Sequence, residues 1–122
     1  MSEEPKKALR YNEGKPRWSL IHFASMIPMI RVLMYGAKKY TVLNPDGTIK
    51  IDGTNNWMGD MPKKQIQDCM MRHLSAIMDG EEIDPESGEP HIGHVMCNAM
   101  FYSYHHVIPK VQQDPKSLAH AN

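Results

Sequence analysis

The chain has no excess of charge of either sign: Lys plus Arg number 14 and Asp plus Glu number 14 in 122 residues. That balance argues against a general nucleic-acid binder, whose footprint is a clear basic excess. It leaves room for a small anionic ligand held by a few local cations. Cysteine is scarce. The two that occur, Cys69 and Cys97, each sit beside methionine. No spacing matches a disulfide framework or a CxxC zinc knuckle, so both read as buried thiols. The start, MSEEPKK, lacks an apolar signal core, and no apolar run reaches membrane-spanning length. The expectation is a soluble, cytoplasmic protein without a membrane partner. There is no GxxxxGK[ST], no GxGxxG and no nucleophile elbow. A Cys–His nucleophile pair is missing as well.

The chemistry-bearing residues concentrate in the segment 72–98. Four acids, Glu81, Glu82, Asp84 and Glu86, fall within six positions of a short connector. Directly after it, His91, His94 and Asn98 recur at i, i+3 and i+7, which places them on one face of a helix. Carboxylates bind hard cations, the cations neutralise phosphate oxygens, and a bound water attacks phosphorus. Mg²⁺ takes oxygen ligands, whereas His91 and His94 admit Mn²⁺ or another transition metal. The candidate catalytic acids are therefore Glu81, Glu82, Asp84 and Glu86. The candidate metal shell is Asp68, His73, Glu82, Asp84, His91, His94 and Asn98, around Mg²⁺ or Mn²⁺. A purely structural reading, a hydrogen-bonded polar seam between subunits, is open for the same segment.

The length favours one domain, taken as residues 1–109, with a polar, frayed tail over 110–122. The fold expected is mainly all-α, a bundle of three to four helices with a small β-hairpin inserted at 40–52. So few helices leave a broad face poorly covered, so self-association is expected. Upstream, the loop 10–18 alternates cations (Arg10, Lys15, Arg17) with Tyr11 and Trp18. It reads either as a nucleotide clamp or as a solvated arm anchored by Trp18.

Helix one begins at Ser25 as N-cap, with Pro28 in its first turn and Met26, Met29, Ile30, Leu33, Ala37 and Tyr40 at helical spacing. Lys38 and Lys39 suit its negative end or a phosphate. The hairpin turns at Asn44-Pro45-Asp46-Gly47 and reads as an oligomer contact or a lid. Asn55, Asn56 and Trp57 either contact a base or form a turn with a core Trp. Helix two covers 61–78, with Asp60 as cap and Ile66, Cys69, Met70, His73, Leu74 and Ile77 as its stripe. His73 is either a core histidine or a ligand. Asp68 and Arg72 can pair, and Gly80 fits the C′ position. Helix three covers 90–108 and is stopped by Pro109. One face carries Ile92, Val95, Met96 and Ala99, and another carries His91, His94 and Asn98. Two such faces place this helix at the centre of the bundle.

Several pieces together, RYNEGKPRWSLI, YGAKKY, NNW and DCMMRHLSAIMDGEEIDPESGEPHIGHVMCNAMF, resemble the N-terminal dATP/dGTP diphosphohydrolase family of bacteriophages. In reaction that family is related to the MazG-like all-α pyrophosphohydrolases. The resemblance implies hydrolysis of a purine deoxynucleoside triphosphate to monophosphate and pyrophosphate with Mg²⁺ or Mn²⁺. It also implies a helical fold assembled as a dimer or tetramer. Arg10, Lys15, Lys38, Lys39 and Arg72 would neutralise phosphate, and Trp18, Asn55, Asn56 and Trp57 would meet the base. MazG-like enzymes carry ExxE and ExxD on successive helices. Here the matching helices carry Asp68 with Arg72 and His73, then His91, His94 and Asn98, and the acids lie in the connector. The alternative is a non-catalytic nucleotide-binding protein, a sponge for a nucleotide signal, on the same fold.

Overall fold

A computed structural model describes residues 6–111. Its frame is three helices, α1 (Ile27–Lys39), α2 (Lys63–Met78) and α3 (His91–Tyr102), with a two-stranded antiparallel hairpin, β1 (Val42–Leu43) and β2 (Ile49–Ile51), between the first two. The mainly helical architecture and the inserted hairpin match the expectation. The tail expected at 110–122 lies outside the described residues from 112 onward.

The third helix sits between the other two and packs on both, as its two-faced pattern implied. Against α1 the seam is made of small residues. Gly93 and Cys97 are buried, and the Cys97 Sγ–H donates to the Met29 carbonyl at 3.3 Å. A Cβ added at Gly93 would fall on the Pro28 carbonyl and within 2.9 Å of Val32 Cγ2. Of the expected α1 stripe, Met26, Met29, Leu33 and Ala37 are half-buried, but its centre lies at Val32, which the stripe left out. Val32 is its buried residue, flanked by Met29, Leu33, Gly36 and Ala37, while Ile30 and Tyr40 face outward. On α3 itself, Ile92 and Ala99 are exposed, against expectation, because α1 takes the glycine side and not the isoleucine side. The α2 stripe holds as read: Ile66 is buried and Cys69, Met70, His73, Leu74 and Ile77 are half-buried.

Helix ends differ from the reading in three places. Ser25 does not cap α1. It lies in a 3₁₀ turn (Phe23–Met26) and pairs with His22 Nδ1 at 2.6 Å. Pro28 does occupy the first turn of α1. Asp60 does not cap α2, which is entered through Pro62 without a side-chain cap. At its other end Gly80, at φ 91°, closes α2 as expected. Gly80 N–H bonds the Ile77 carbonyl at 2.9 Å and Glu81 N–H bonds that of Ala76 at 2.9 Å, a Schellman pair.

Pro109 does not stop the third helix. A π turn (Ser103–Val107) follows α3 and leads into α4 (Ile108–Val111). The widened turn falls where the missing Pro109 N–H would otherwise leave a carbonyl unpaired. It also sets two consecutive histidines to work: His105 Nε2 bonds the Trp57 carbonyl at 2.7 Å and His106 Nε2 that of Met61 at 2.8 Å. These bonds anchor the chain between the hairpin and α2.

Hairpin register pairs Val42 with Ile51 and Leu43 with Ile49, with an irregularity between them. Gly47 supplies the left-handed corner at φ 88°. The return segment is held close: Gly53 N–H bonds Thr41 Oγ1 at 2.9 Å, with no room for a side chain against Tyr40. Among the described residues no helix is long and apolar enough to cross a membrane.

Candidate active site

The connector between α2 and α3 is a tight loop. Asp84 N–H bonds the Glu89 carbonyl at 2.8 Å, and His91 N–H bonds that of Glu82 at 2.8 Å. Gly88, at φ 73°, donates to the Asp84 carbonyl at 2.8 Å. Inside this loop the Asp84 carboxylate accepts Glu86 N–H at 3.1 Å, Ser87 N–H at 3.3 Å and Ser87 Oγ–H at 2.8 Å. Asp84 is thereby aimed inward and buried, at 9% exposure.

The closed loop distributes its acids in different directions. Asp84 meets His94, with Oδ2 at 3.3 Å from Nε2, and Ser87 Oγ lies 2.7 Å from the same nitrogen. Glu81 is taken by His91, whose Nε2 stands 2.6 Å from its carboxylate. Glu89 forks onto Arg31 of α1, at 2.7 Å and 3.2 Å. Glu86 faces Lys39 at 3.6 Å. Glu82 is exposed and does not reach the others.

From the α2 side His73 completes the centre. Its ring lies parallel to His94, with centroids 4.1 Å apart and an interplanar angle of 4°. Its Nδ1 is 2.8 Å from His91 Nδ1. Donor atoms of His73, Asp84 and His94 all lie within 4.8 Å of one another. His91 is not a free ligand, since both its ring nitrogens are engaged. Asn98 is likewise committed, donating to the His94 carbonyl at 2.8 Å and to Cys69 Sγ at 3.4 Å. Of the helical group His91, His94 and Asn98, only His94 belongs to the close set of donor atoms, and its Nε2 also lies 2.7 Å from Ser87 Oγ.

Burial sets the charge state here. His73 and His94 are both held below the usual histidine value, first because partial burial disfavours the cation and then because the neighbouring imidazoles repel it; Asp84 opposes this in part. Burial pushes the Asp84 carboxyl up, yet the hydrogen bonds from Ser87 and Glu86 and the nearness of His94 outweigh it, and the net shift is downward. The centre is thus a carboxylate beside two uncharged imidazoles, the state in which these groups donate lone pairs to a metal.

The three side chains line a groove of about 750 Å³ that opens between α1, α2 and α3. Lys39, Asp68, Arg72 and Glu86 line the same groove, as do Asn56, Trp57, Met61, Gln65 and Phe101. Trp57 is fixed in place, stacked on Phe101 at 5.2 Å with Tyr104 edge-on at 5.0 Å. Arg10, Lys15, Trp18, Lys38 and Asn55 do not line it. Trp18 is 62% exposed. Sequence reasoning missed Gln65 and Ser87. Gln65 had no signal. Ser87 had one, standing three residues after Asp84, where a hydroxyl can close a turn back onto a carboxylate.

A family model described as the dATP/dGTP diphosphohydrolase N-terminal domain matches residues 5–115. No curated protein and no solved structure matches the chain.

Proposed function

Because this chain belongs to the dATP/dGTP diphosphohydrolase N-terminal family, we propose that it hydrolyses a purine deoxynucleoside triphosphate to the monophosphate and pyrophosphate. The observation that carries the reading is the convergence of His73, Asp84 and His94 in the same groove as Lys39, Arg72 and Trp57. The triphosphate lies at the His73–His94 end, where Lys39 and Arg72 meet its oxygens. The base lies toward Trp57, Gln65 and Phe101. Along α3, Phe101 is seven residues beyond His94, about 10 Å at the rise of a helix, a separation suited to a nucleotide laid lengthwise.

A divalent cation held by His73, Asp84 and His94 would neutralise phosphate charge and lower the pKa of an attacking water. Glu86 lines the groove and is only loosely paired with Lys39, at 3.6 Å. Glu86 is the carboxylate that would accept a proton from that water. Phosphate arriving at Lys39 would free it for this role. Self-association fits the exposed apolar strand residues Val42, Leu43, Ile49 and Ile51, and light scattering of the full chain measures it directly.

A nucleotide sponge without turnover is the second reading, favoured by the presence of a single carboxylate in the convergent trio. The test is incubation with dGTP or dATP and a divalent metal, with pyrophosphate and orthophosphate assayed separately. Pyrophosphate with monophosphate supports the hydrolase. A stoichiometric complex recovered with intact nucleotide supports the sponge and removes the hydrolase.

A further inference from the structure

We infer that the trio His73, Asp84 and His94 forms a mixed nitrogen–oxygen site selective for a transition-metal dication of the Mn²⁺ or Co²⁺ class over Mg²⁺. The role of that ion in catalysis rests on the nucleotide reading above, but the selectivity follows from the donor set alone. Mg²⁺ requires oxygen ligands in near-octahedral array and binds imidazole poorly. An all-oxygen cage cannot be assembled from this connector. Of its acids, Glu81 is bound to His91, Glu89 to Arg31, Glu86 faces Lys39, and Glu82 is exposed and outside the groove lining. What converges is one carboxylate and two imidazoles, a set that suits first-row transition ions.

Three further observations favour a metal, which would take His94 Nε2 from Ser87 Oγ at 2.7 Å and share the Asp84 carboxylate with the loop donors. The histidines belong to two different helices and their rings are stacked parallel at 4.1 Å, an arrangement in which the imidazoles make no hydrogen bond to each other. His73 is oriented by His91, which is itself oriented by Glu81. Such a carboxylate–histidine chain behind a ligand is the usual way an outer partner fixes a ligand's tautomer. With Glu81 accepting the His91 Nε2–H, His91 Nδ1 accepts the His73 Nδ1–H, and the His73 Nε2 lone pair is left uncommitted. Finally, the charged side chains on the groove wall are two cations, Lys39 and Arg72, against three carboxylates, Asp68, Asp84 and Glu86. A wall with a net negative charge repels a triphosphate unless a cation is added.

The donor atoms, now within 4.8 Å of one another, would need to close to about 3 Å apart around an ion with bonds of about 2.1 Å. Closing that gap requires the His94 imidazole, 13% exposed, to turn from Ser87 Oγ.

The experiment is calorimetric titration of the chelator-treated full chain with MnCl₂, CoCl₂ and MgCl₂, without nucleotide. One Mn²⁺ or Co²⁺ per chain is expected, at least about tenfold tighter than Mg²⁺. His73→Ala, His94→Ala and Asp84→Asn are each expected to lose about 10-fold or more in Mn²⁺ affinity, while His22→Ala, outside the groove, loses none. Visible absorption of the Co²⁺ form reports imidazole ligation in the unaltered chain, so the inference is testable even where a variant misfolds. Equal affinity for Mg²⁺, undiminished Mn²⁺ affinity in a folded His73→Ala His94→Ala chain, or a Co²⁺ spectrum identical to the aquo ion overturns it. Because nucleotide is absent, tight Mn²⁺ binding without later pyrophosphate release sinks the hydrolase reading alone.

Discussion

His91 Nδ1 lies 2.8 Å from His73 Nδ1 and its Nε2 lies 2.6 Å from the Glu81 carboxylate, so one buried ring joins the connector to α2. His91 is therefore a positioning residue for His73. His91→Ala should lower metal affinity by about 10- to 100-fold and cost about 1–3 kcal/mol of stability through the groups left unpaired. Glu81→Gln keeps an acceptor for His91 and should cost less on both counts. Calorimetry and thermal unfolding of the two variants check the order; equal losses would show that the carboxylate charge, not the hydrogen bond, is what matters.

Lys39 and Glu86 face each other across the groove end at 3.6 Å. Lys39→Ala should raise KM for the triphosphate with a smaller effect on kcat, as loss of a phosphate contact does. Glu86→Gln should lower kcat by about 100-fold or more with KM little changed, as expected for loss of a general base. Steady-state kinetics separates the two. A Glu86→Gln enzyme with full kcat would reassign the base.

Gly93 allows α1 to contact α3, and a methyl there meets the Pro28 carbonyl and Val32. Gly93→Ala should destabilise the fold by about 1–3 kcal/mol through overpacking. Gly36→Ala is the comparison, since nothing lies within 4 Å of its added Cβ, and it should be neutral or mildly stabilising. Denaturant titration of both variants provides the test.

The pH dependence follows from His73 and His94, whose values in the fold lie below the ordinary 6.5. As pH falls past 6.5 the unfolded histidines take up protons before the folded ones do. Stability present above that value is then lost as pH drops through the depressed folded values. Asp84 is also depressed, so its contribution holds until pH falls below the ordinary 3.8. In chelator the melting temperature should decline as pH falls below about 6.5. His73→Gln His94→Gln should flatten that decline. An unchanged slope in the double variant would place the pH dependence elsewhere.

Trp57 is held by Phe101 and Tyr104, and its carbonyl by His105. Trp57→Ala should both destabilise the chain, by about 3–5 kcal/mol at most given its partial exposure, and raise KM for the nucleotide. Trp57→Phe should restore stability more than KM. Rescue of both to the same degree would make the ring a packing element alone.

Periodicity and punctuation determined the helices. The α2 stripe from Ile66 to Ile77 and the Gly80 cap needed only local spacing, because a helix buries one face and ends where a left-handed residue permits. The polar group His91, His94 and Asn98 was legible for the same reason. Tertiary structure alone decided what each of those residues does. Helical spacing cannot show that His91 spends both nitrogens on Glu81 and His73, or that His73 comes from another helix to meet Asp84. Nor can it show that a hairpin-like closure buries Asp84 and leaves Glu82 exposed. The seam at Gly93 and Cys97 was hidden because hydropathy favours isoleucine, whereas close helix approach selects for small size. Contacts between residues 10 to 68 positions apart depend on how backbones come together, and that information is distributed over the whole chain.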